Sequence, residues 1–326
     1  MGFIKVDNIN IIGISTAVPN RINTNTNEKF ILTTGVSEKR IAGKNLCTSD
    51  LCIEASQKLL SDLRIDKNEI EILVFVSQTP DYKLPVTSTI LQHKLGLPQT
   101  CLCLDIPLGC SGYVYGLSVI SSLMNSGKIK KGLLLVGDTI SKEIGSDDQS
   151  AEPLFGDAGT ATLLKYDEVA NPMLFSLGSD GEGYESIIIH NSGSRFRDNE
   201  NSKLFLNGID VFNFGTNKVP KVVRQFIDNF DLDKDSIDHF VFHQANKLMN
   251  DKIYKKLDIP TNKTVSSLKK FGNTSSATIP LTIVTELKGI EKDKTFLFCG
   301  FGVGLSWGAF YTKASNNIFC SDLIEI

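Results

Sequence analysis

Residues 63–75 read LRIDKNEIEILVF and residues 230–242 read FDLDKDSIDHFVF, so the two stretches match without a gap. Each follows a helical pattern of apolar residues and runs into a short apolar strand. Further along, KLGLP at 94–98 corresponds to KLDIP at 256–260. We therefore interpret the chain as two copies of one α/β unit.

A second pair of segments supports the duplication. Residues 110–137 align without a gap with residues 273–300, and each reads as a turn, a helix and a buried strand ending in glycine. Apolar strands that alternate with helices predict parallel strands covered on both faces, in a layered α/β architecture. We place the domains at 1–168 and 169–326. Strand-like pieces at 173–177 and 187–190 predict a hairpin after the boundary.

Composition narrows the class of protein. The 326 residues are 41% apolar and 22% charged, as in soluble globular chains. With 34 basic and 37 acidic residues the net charge is −3, which argues against a nucleic-acid binder. No apolar run has the length of a membrane span, and the first residues do not resemble a signal peptide. Seven cysteines make no disulfide framework. We expect a cytoplasmic protein without membrane or nucleic-acid partners.

Cys110 is the candidate nucleophile. It lies in PLGCSG at 107–112, a glycine-flanked turn that opens a helical pattern. The N-terminus of a helix stabilises a thiolate through its partial positive charge and free N–H groups. The alternative is a small buried cysteine, the commonest state of this residue. The position on a turn, outside any strand, favours the nucleophile.

Two further residues accompany the cysteine. His243 ends a strand, where catalytic groups are often displayed. His239 lies four residues earlier, but along a strand the two would be roughly 13 Å apart, too far to share a metal. Asn273 lies in the loop that duplicates the Cys110 loop, so we expect it to face the same pocket, although a helix N-cap is the alternative. The glycine-rich run CGFGVGLSWG at 299–308 suits an oxyanion hole better than a phosphate loop.

Taken together, these motifs resemble the β-ketoacyl-acyl-carrier-protein synthase III group of the thiolase superfamily. The resemblance implies a thiolase-like five-layered α-β-α-β-α fold built from two duplicated halves. It covers nearly the whole length and is carried by seven stretches: TGVSEKRIA (34–42), GCSG (109–112), FGDAGTA (155–161), HQAN (243–246), YKKL (254–257), FGNTS (271–275) and GVGLSWG (302–308).

The resemblance also implies a role for each residue of the site. Cys110 would carry the acyl group, and the backbone N–H groups of Cys110 and Val303 would form the oxyanion hole. His243 and Asn273 would hydrogen-bond the thioester carbonyl of a malonyl extender and stabilise the enolate left by decarboxylation. Phe301 matches an aromatic residue that favours loss of the carboxylate charge by desolvation.

Residues at the substrate and carrier positions depart from the family pattern. Phe30 stands where a tryptophan usually stacks on the coenzyme A adenine, and Leu84 stands where a phenylalanine closes the acyl pocket. Leu248 replaces an arginine that contacts the carrier, while 255–256 match a basic pair thought to meet it. These departures indicate a specialised paralogue. We assign substrate or carrier binding to Phe30, Leu84, Asn246, Lys247, Lys255 and Lys256.

We therefore predict an acyltransferase that condenses an acyl thioester with malonyl-acyl-carrier protein through an acyl-Cys110 intermediate. Its substrates would be coenzyme A or phosphopantetheine thioesters, with no metal or other cofactor, and it would form a homodimer. The alternative is an acyltransferase that moves the acyl group from Cys110 to an alcohol or amine. Papain-like hydrolases share the order Cys, His, Asn but lack the duplication. Thiolase proper and the hydroxymethylglutaryl-CoA synthases use a different residue in place of Asn273. A non-catalytic scaffold would be expected to have lost Cys110, His243 or Asn273, and all three are present.

Overall fold

The computed structural model describes residues 2–195 and 202–326. Its strands are β1 Gly2–Val6, β2 Ile9–Val18, β3 Ile22–Thr24, β4 Glu38–Arg40, β5 Ile72–Val76, β6 Leu102–Ile106, β7 Lys131–Asp138, β8 Ala158–Tyr166, β9 Met173–Ser179, β10 Ile187–Ile189, β11 Leu204–Leu206, β12 His239–Phe242, β13 Thr295–Gly302, β14 Ser306–Lys313, β15 Phe319–Cys320 and β16 Ile324–Glu325. Its α-helices are α1 Glu28–Thr34, α2 Thr48–Asp62, α3 Thr87–Leu95, α4 Gly112–Gly127, α5 Gly208–Asn229, α6 Lys247–Lys256, α7 Leu268–Phe271 and α8 Thr278–Thr282.

Two mixed sheets form the frame of the molecule. The first has the order β15-β2-β8-β7-β5-β6, with β16 also paired to β2, and the second has the order β1-β9-β14-β13-β12. Parallel pairing joins β5 to β6 and β7, and β12 to β13. In each half the next strand, β8 or β14, runs antiparallel to its neighbour. The prediction of parallel strands is therefore right for β5, β6, β7, β12 and β13. It is wrong for β8 and β14, which pair antiparallel to their neighbours.

Helices and sheets alternate in five layers. The buried faces of α4 and α8 pack between the two sheets, where Leu117 and Ile279 share one apolar core with Val74 and Phe298. On the outer face of the first sheet lies α2, through Leu51 and its neighbours. On the outer face of the second sheet lie α5 and α6. This α-β-α-β-α arrangement confirms the predicted fold.

The duplicated segments fold alike over their first part. Asp66 and Asp233 each accept a hydrogen bond from the backbone N–H two residues later and so begin equivalent 3-10 turns. Each turn leads into an equivalent strand, β5 or β12. The second part differs: α4 runs unbroken over 16 residues, whereas its counterpart is a 3-10 turn at 275–277, then α8, then a π turn at 283–287.

Two connections differ from expectation. The predicted hairpin between 173–177 and 187–190 is absent, because β9 pairs with β1 and β14 while β10 pairs with β11. The sheets also exchange their terminal strands: β1 joins the second sheet, and β15 and β16 join the first. The predicted division at 168/169 falls in the connection between β8 and β9 and stays a prediction.

Candidate active site

Cys110 lies on the tight turn between β6 and α4. The N–H of Gly112, the first residue of α4, donates to the carbonyl of Gly109 at 2.6 Å and closes the turn. Ser111, which precedes the helix, has its hydroxyl 2.7 Å from that of Ser306 in the second half. The turn is therefore held by both halves of the molecule.

Glycines at the end of β13 let the second half approach the nucleophile. A Cβ on Gly300 would lie 2.8 Å from the Cys110 carbonyl oxygen, and a Cβ on Gly302 would lie 2.7 Å from the Cys110 sulfur. The backbone N–H groups of Val303 and of Cys110 itself are close enough to the sulfur to lower its pKa. These are the two donors predicted for the oxyanion hole, and the packing explains why the run is rich in glycine.

His243 follows β12 and is anchored through its backbone and its ring. Its N–H donates to the carbonyl of Cys299 at 2.8 Å, which extends the pairing with β13 by one residue. Its Nδ1 lies 2.7 Å from Oγ1 of Thr278, the first residue of α8. The ring of Phe301 stands edge-on to it, with centroids 5.5 Å apart. Burial lowers the pKa of His243 to about 3, so the imidazole is neutral at physiological pH.

Asn273 is fixed with its amide nitrogen available. Its Oδ1 accepts from the N–H of Ser275 at 2.9 Å, and its Nδ2 makes a long contact of 3.4 Å with the carbonyl of Ala245. Its backbone bridges to the first half, because its N–H donates to Leu154 and its carbonyl accepts from Gly156. One Nδ2 proton therefore remains for a ligand.

These side chains meet in one small cavity of about 70 Å³. Apart from the three polar groups its walls are mostly apolar, a setting that strengthens each hydrogen bond made inside it. The residues that line the cavity are Cys110, Leu154, Phe155, Ile187, Leu206, Gly208, Val211, His243, Ala245, Asn246, Met249, Asn273, Phe301 and Gly302.

Two opposing effects act on the pKa of Cys110. Burial raises the pKa of the thiol to about 11, and the N–H groups of Val303 and Cys110 offset only part of this shift. Desolvation of the sulfur is the larger effect, so it favours the protonated thiol over the thiolate. The arrangement suits a thiol that loses its proton as it reacts.

The predicted substrate-binding residues lie at different distances from the cavity. Asn246 lines it and begins α6, accepting from the N–H of Met249 at 2.8 Å. Phe30 is half-buried and packs on the apolar cluster that contains Leu154 and Phe155, next to the cavity. Leu84 is 84% exposed and does not line the cavity of its own chain.

The predicted basic residues of α6 face two directions. Lys247 pairs with Asp251, and both line a groove of about 800 Å³ between α1, α6 and residues 259–269. Lys255 lines the same groove. Lys256 instead points to α5, where its Nζ donates to the Thr216 carbonyl at 2.9 Å and to Asn217 Oδ1 at 3.0 Å. Adjacent helical residues point about 100° apart, which separates the pair.

Sequence reasoning missed the residues that hold the site together. Asp138 ends β7 and accepts hydrogen bonds from Ser77, Gln78 and Ser276. Ser275 orients the amide of Asn273, and Thr278 contacts His243. The one available signal was the run of hydroxyl residues directly after Asn273.

Within residues 2–195 and 202–326, no helix combines the length and apolarity needed to span a bilayer. The same residues contain no group of three His, Cys, Asp or Glu side chains placed to bind a metal ion.

Known proteins share this fold and these motifs. A family model described as 3-oxoacyl-[acyl-carrier-protein (ACP)] synthase III matches residues 104–181, and the model of its C-terminal part matches residues 227–314. The chain is 34% identical to beta-ketoacyl-[acyl-carrier-protein] synthase III 2 of Staphylococcus epidermidis, over 90% of this chain and 94% of that protein. The crystal structure of a 3-oxoacyl-(acyl-carrier protein) synthase from Burkholderia xenovorans superimposes with a TM-score of 0.94 at 36% identity, covering 100% and 99% of the two chains.

A priming β-ketosynthase of the R1128 polyketide pathway has the same fold, with a TM-score of 0.88 over 95% of this chain and 97% of that one at 24% identity. The fold, the cysteine turn and the relatives define an acyl-transferring enzyme of the thiolase superfamily. Within that class, the chain belongs to the 3-oxoacyl-acyl-carrier-protein synthase III family.

Proposed function

We propose that this enzyme catalyses a decarboxylative Claisen condensation between an acyl thioester and malonyl-acyl-carrier protein. The observation that carries the proposal is the convergence of Cys110, His243 and Asn273 in one desolvated cavity, with Phe301 beside the imidazole. The cavity has one nucleophile and three neutral polar side chains, those of His243, Asn246 and Asn273, and the described residues that line it include no carboxylate.

The first step loads the acyl group on Cys110. The sulfur attacks the thioester carbonyl, and the N–H groups of Cys110 and Val303 stabilise the tetrahedral oxyanion. The carbon–sulfur bond to the departing thiol then breaks, and that thiol takes up the proton that Cys110 loses. The buried, protonated thiol suits this exchange, because no free charge is left in the cavity.

The second step forms the carbon–carbon bond. Asn273 and His243 donate hydrogen bonds to the malonyl thioester carbonyl, so its oxygen can bear the charge of the enolate when carbon dioxide leaves. The enolate carbon attacks the acyl-Cys110 carbonyl and the Cys110 sulfur departs as a thiolate, which gives a β-ketoacyl thioester on the carrier. The thiolate then takes up a proton from solvent and becomes the thiol again. Phe301 supplies an apolar wall that disfavours the malonyl carboxylate and so favours its loss.

We place the arm of the thioester substrate between α1, α5 and α6. Asn246 lines the inner end of this path, and Phe30 lies at the rim beside the apolar cluster. In this proposal, the adenine of coenzyme A or the surface of the carrier protein next to its phosphopantetheine arm would lie against Phe30. In the family a tryptophan at this position stacks on the adenine, and the smaller phenylalanine ring could make the same contact.

The carrier protein would dock on the groove beside α6. Ile31, Tyr254 and Leu268 contribute an apolar floor. Lys255 and Lys269 also line the groove, and their ammonium groups have no hydrogen-bond or ion-pair partner among the described residues. The groove begins at Lys247, next to Asn246 of the cavity. An acidic, amphipathic helix matches this combination of charge and apolar surface.

A homodimer belongs to the same proposal. Strand β6 ends the first sheet, and it leaves Leu102 and Leu104 44% and 37% exposed. The nearby Leu84 and Val86 are also exposed, which extends the apolar surface. An edge strand with such a surface is typical of a two-fold interface. Leu84 would then reach the acyl cavity of the other copy. The cytoplasmic location predicted from the sequence is part of this proposal.

The division of roles is tested by Asn273→Ala. Loading of Cys110 needs no donor from Asn273, so the variant should still form the acyl-enzyme at a rate close to that of the unmodified protein. Condensation with malonyl-carrier should fall by about 10²-fold or more, as when one oxyanion donor is removed. The exposed Asn262→Ala is the matched control. Condensation at an unchanged rate in Asn273→Ala would contradict the proposed role.

A further inference from the structure

Nδ1 of His243 has a close polar neighbour in Thr278, which is not among the residues that line the cavity, and the carbonyl of Ser275 is also close enough to the ring to raise the pKa of His243. Oγ1 of Thr278 lies 2.7 Å from Nδ1, and both residues are 1% exposed. The same hydroxyl lies 3.2 Å from the carbonyl oxygen of Ser275. No described residue hydrogen-bonds Nε2, and His243 lines the catalytic cavity.

We propose that Thr278 is a positioning residue whose hydroxyl donates to Nδ1 and so holds the proton of the neutral His243 ring on Nε2, as a hydrogen-bond donor into the cavity. The inference rests on the condensing function proposed above. It deepens that function, because it names the group that decides what His243 offers to a substrate.

The proton count leaves two arrangements. The hydroxyl of Thr278 has a single proton, which goes either to Nδ1 of His243 or to the carbonyl of Ser275. That carbonyl already accepts the backbone N–H of Thr278, so it does not depend on the hydroxyl. The hydroxyl of Thr278 is also closer to Nδ1 of His243, at 2.7 Å, than to the carbonyl oxygen of Ser275, at 3.2 Å. Both facts favour donation to the imidazole.

The two arrangements support different chemistry. With the proton on Nε2, His243 and Asn273 present two donors, which an enolate oxygen requires. With the proton on Nδ1, His243 would present a lone pair, the form that accepts a proton from an attacking alcohol or amine. Burial keeps the ring from carrying both protons, since it lowers the pKa of His243 to about 3. The direction of one hydroxyl therefore separates condensation from transfer to another acceptor.

Nitrogen-15 NMR of the histidine side chains tests the inference on the free protein. The chain has four histidines, and the signals of His243 are assigned by their loss in His243→Gln. We expect a pyrrole-type Nε2 and a pyridine-type Nδ1 for the unmodified protein and for Thr278→Ser. In Thr278→Val, which keeps the shape without the hydroxyl, we expect the Nδ1–H form to become populated. A pyrrole-type Nδ1 in the unmodified protein overturns the inference, and so does an unchanged Nε2–H form in Thr278→Val.

Kinetics give a second readout. Thr278→Val should decarboxylate malonyl-carrier at least about tenfold more slowly while Cys110 is loaded within about twofold of the normal rate, because one enolate donor is weakened. Thr278→Ser should restore decarboxylation. An equal loss of both steps would indicate a general disturbance of the site and contradict the specific role. The NMR result needs no turnover, so it tests this inference separately from the proposed function. If the ring carries its proton on Nε2 and the protein fails to condense, the inference stands and the proposed function is contradicted.

Discussion

The carboxylate of Asp138 accepts hydrogen bonds from both the N–H and the hydroxyl of Ser276, at 3.1 and 2.6 Å. Asp138 ends β7 of the first half, and Ser276 lies in the loop of the second half that carries Asn273. The other carboxylate oxygen accepts from Ser77 and Gln78, which follow β5. One fully buried side chain therefore joins the two halves beside the catalytic cavity. Burial raises its pKa, and the hydrogen bonds from Ser276 and Gln78 oppose that shift.

Replacing Asp138 should destabilise the fold. Asp138→Ala leaves the donors of Ser77, Gln78 and Ser276 without partners in a buried place, and we expect the free energy of unfolding to fall by about 3 kcal/mol. Urea denaturation followed by circular dichroism measures this change. The exposed Glu54→Ala serves as the control and should change stability by less than about 0.5 kcal/mol. A loss below about 1 kcal/mol for Asp138→Ala would show that the two halves are held together without it.

Gly302 should tolerate no side chain. A Cβ there would lie 2.6 Å from the Cβ of Cys110 and 2.7 Å from its sulfur, so Gly302→Ala must displace either the nucleophile or the oxyanion hole. We expect acyl loading to slow on the order of 10²-fold, the effect of losing one oxyanion donor. Gly43→Ala is the control, because a Cβ at that position meets no atom within 4 Å. Mass spectrometry of the acyl adduct over time gives both rates. Loading at the normal rate in Gly302→Ala would contradict the close packing.

The reactivity of Cys110 should depend steeply on pH. Its pKa is raised to about 11 by burial, so only about one thiol in 10⁴ is ionised at pH 7. Alkylation by iodoacetamide follows the thiolate and should therefore accelerate about tenfold per pH unit between pH 7 and 9. Digestion and mass spectrometry of the peptide with Cys110 measures the rate, and the partly exposed Cys47 provides an internal comparison. A plateau near neutral pH would show that the helix N-terminus outweighs desolvation.

The two lysines at the end of α6 should respond differently to neutralisation. Lys255→Gln removes from the groove a cation that has no ion-pair partner among the described residues, so the KM for malonyl-carrier should rise about threefold and lose part of its salt dependence. Lys256→Gln breaks two hydrogen bonds to α5, so it should lower the melting temperature and leave that KM unchanged. Malonyl-pantetheine, which has no carrier, is the control substrate for both variants. A carrier-specific effect confined to Lys256→Gln would move the docking surface to the α5 side.

The main elements of the site could be predicted from the sequence because each follows a repeated local pattern. The matched segments 63–75 and 230–242 form equivalent turns and strands. Strands β6 and β12 lead to Cys110 and His243, which meet Asn273 of the loop after α7 in one cavity. The glycine run at 299–308 was assigned to the oxyanion hole from its composition, and the structure places its backbone against the sulfur.

The supporting contacts could not be predicted, because they join residues far apart in the chain. Thr278 and His243 are 35 residues apart, and Asp138 and Ser276 are 138 apart. Hydroxyl groups and single carboxylates leave no periodic signal that would link such pairs. The raised pKa of Cys110 could not be predicted for a related reason, since the burial of the sulfur depends on side chains from both halves. The opposite directions of Lys255 and Lys256 follow from helical geometry only once the neighbours of α6 are known.

Intact-protein mass spectrometry tests the condensing function most directly. The protein is exposed to acyl-coenzyme A and acyl-carrier thioesters, and malonyl-carrier is then added. We expect an acyl adduct that maps to Cys110, is absent in Cys110→Ala, and leaves as a β-ketoacyl-carrier two carbons longer. An adduct that persists with malonyl-carrier but leaves with an alcohol or amine would contradict condensation and identify a non-condensing acyltransferase.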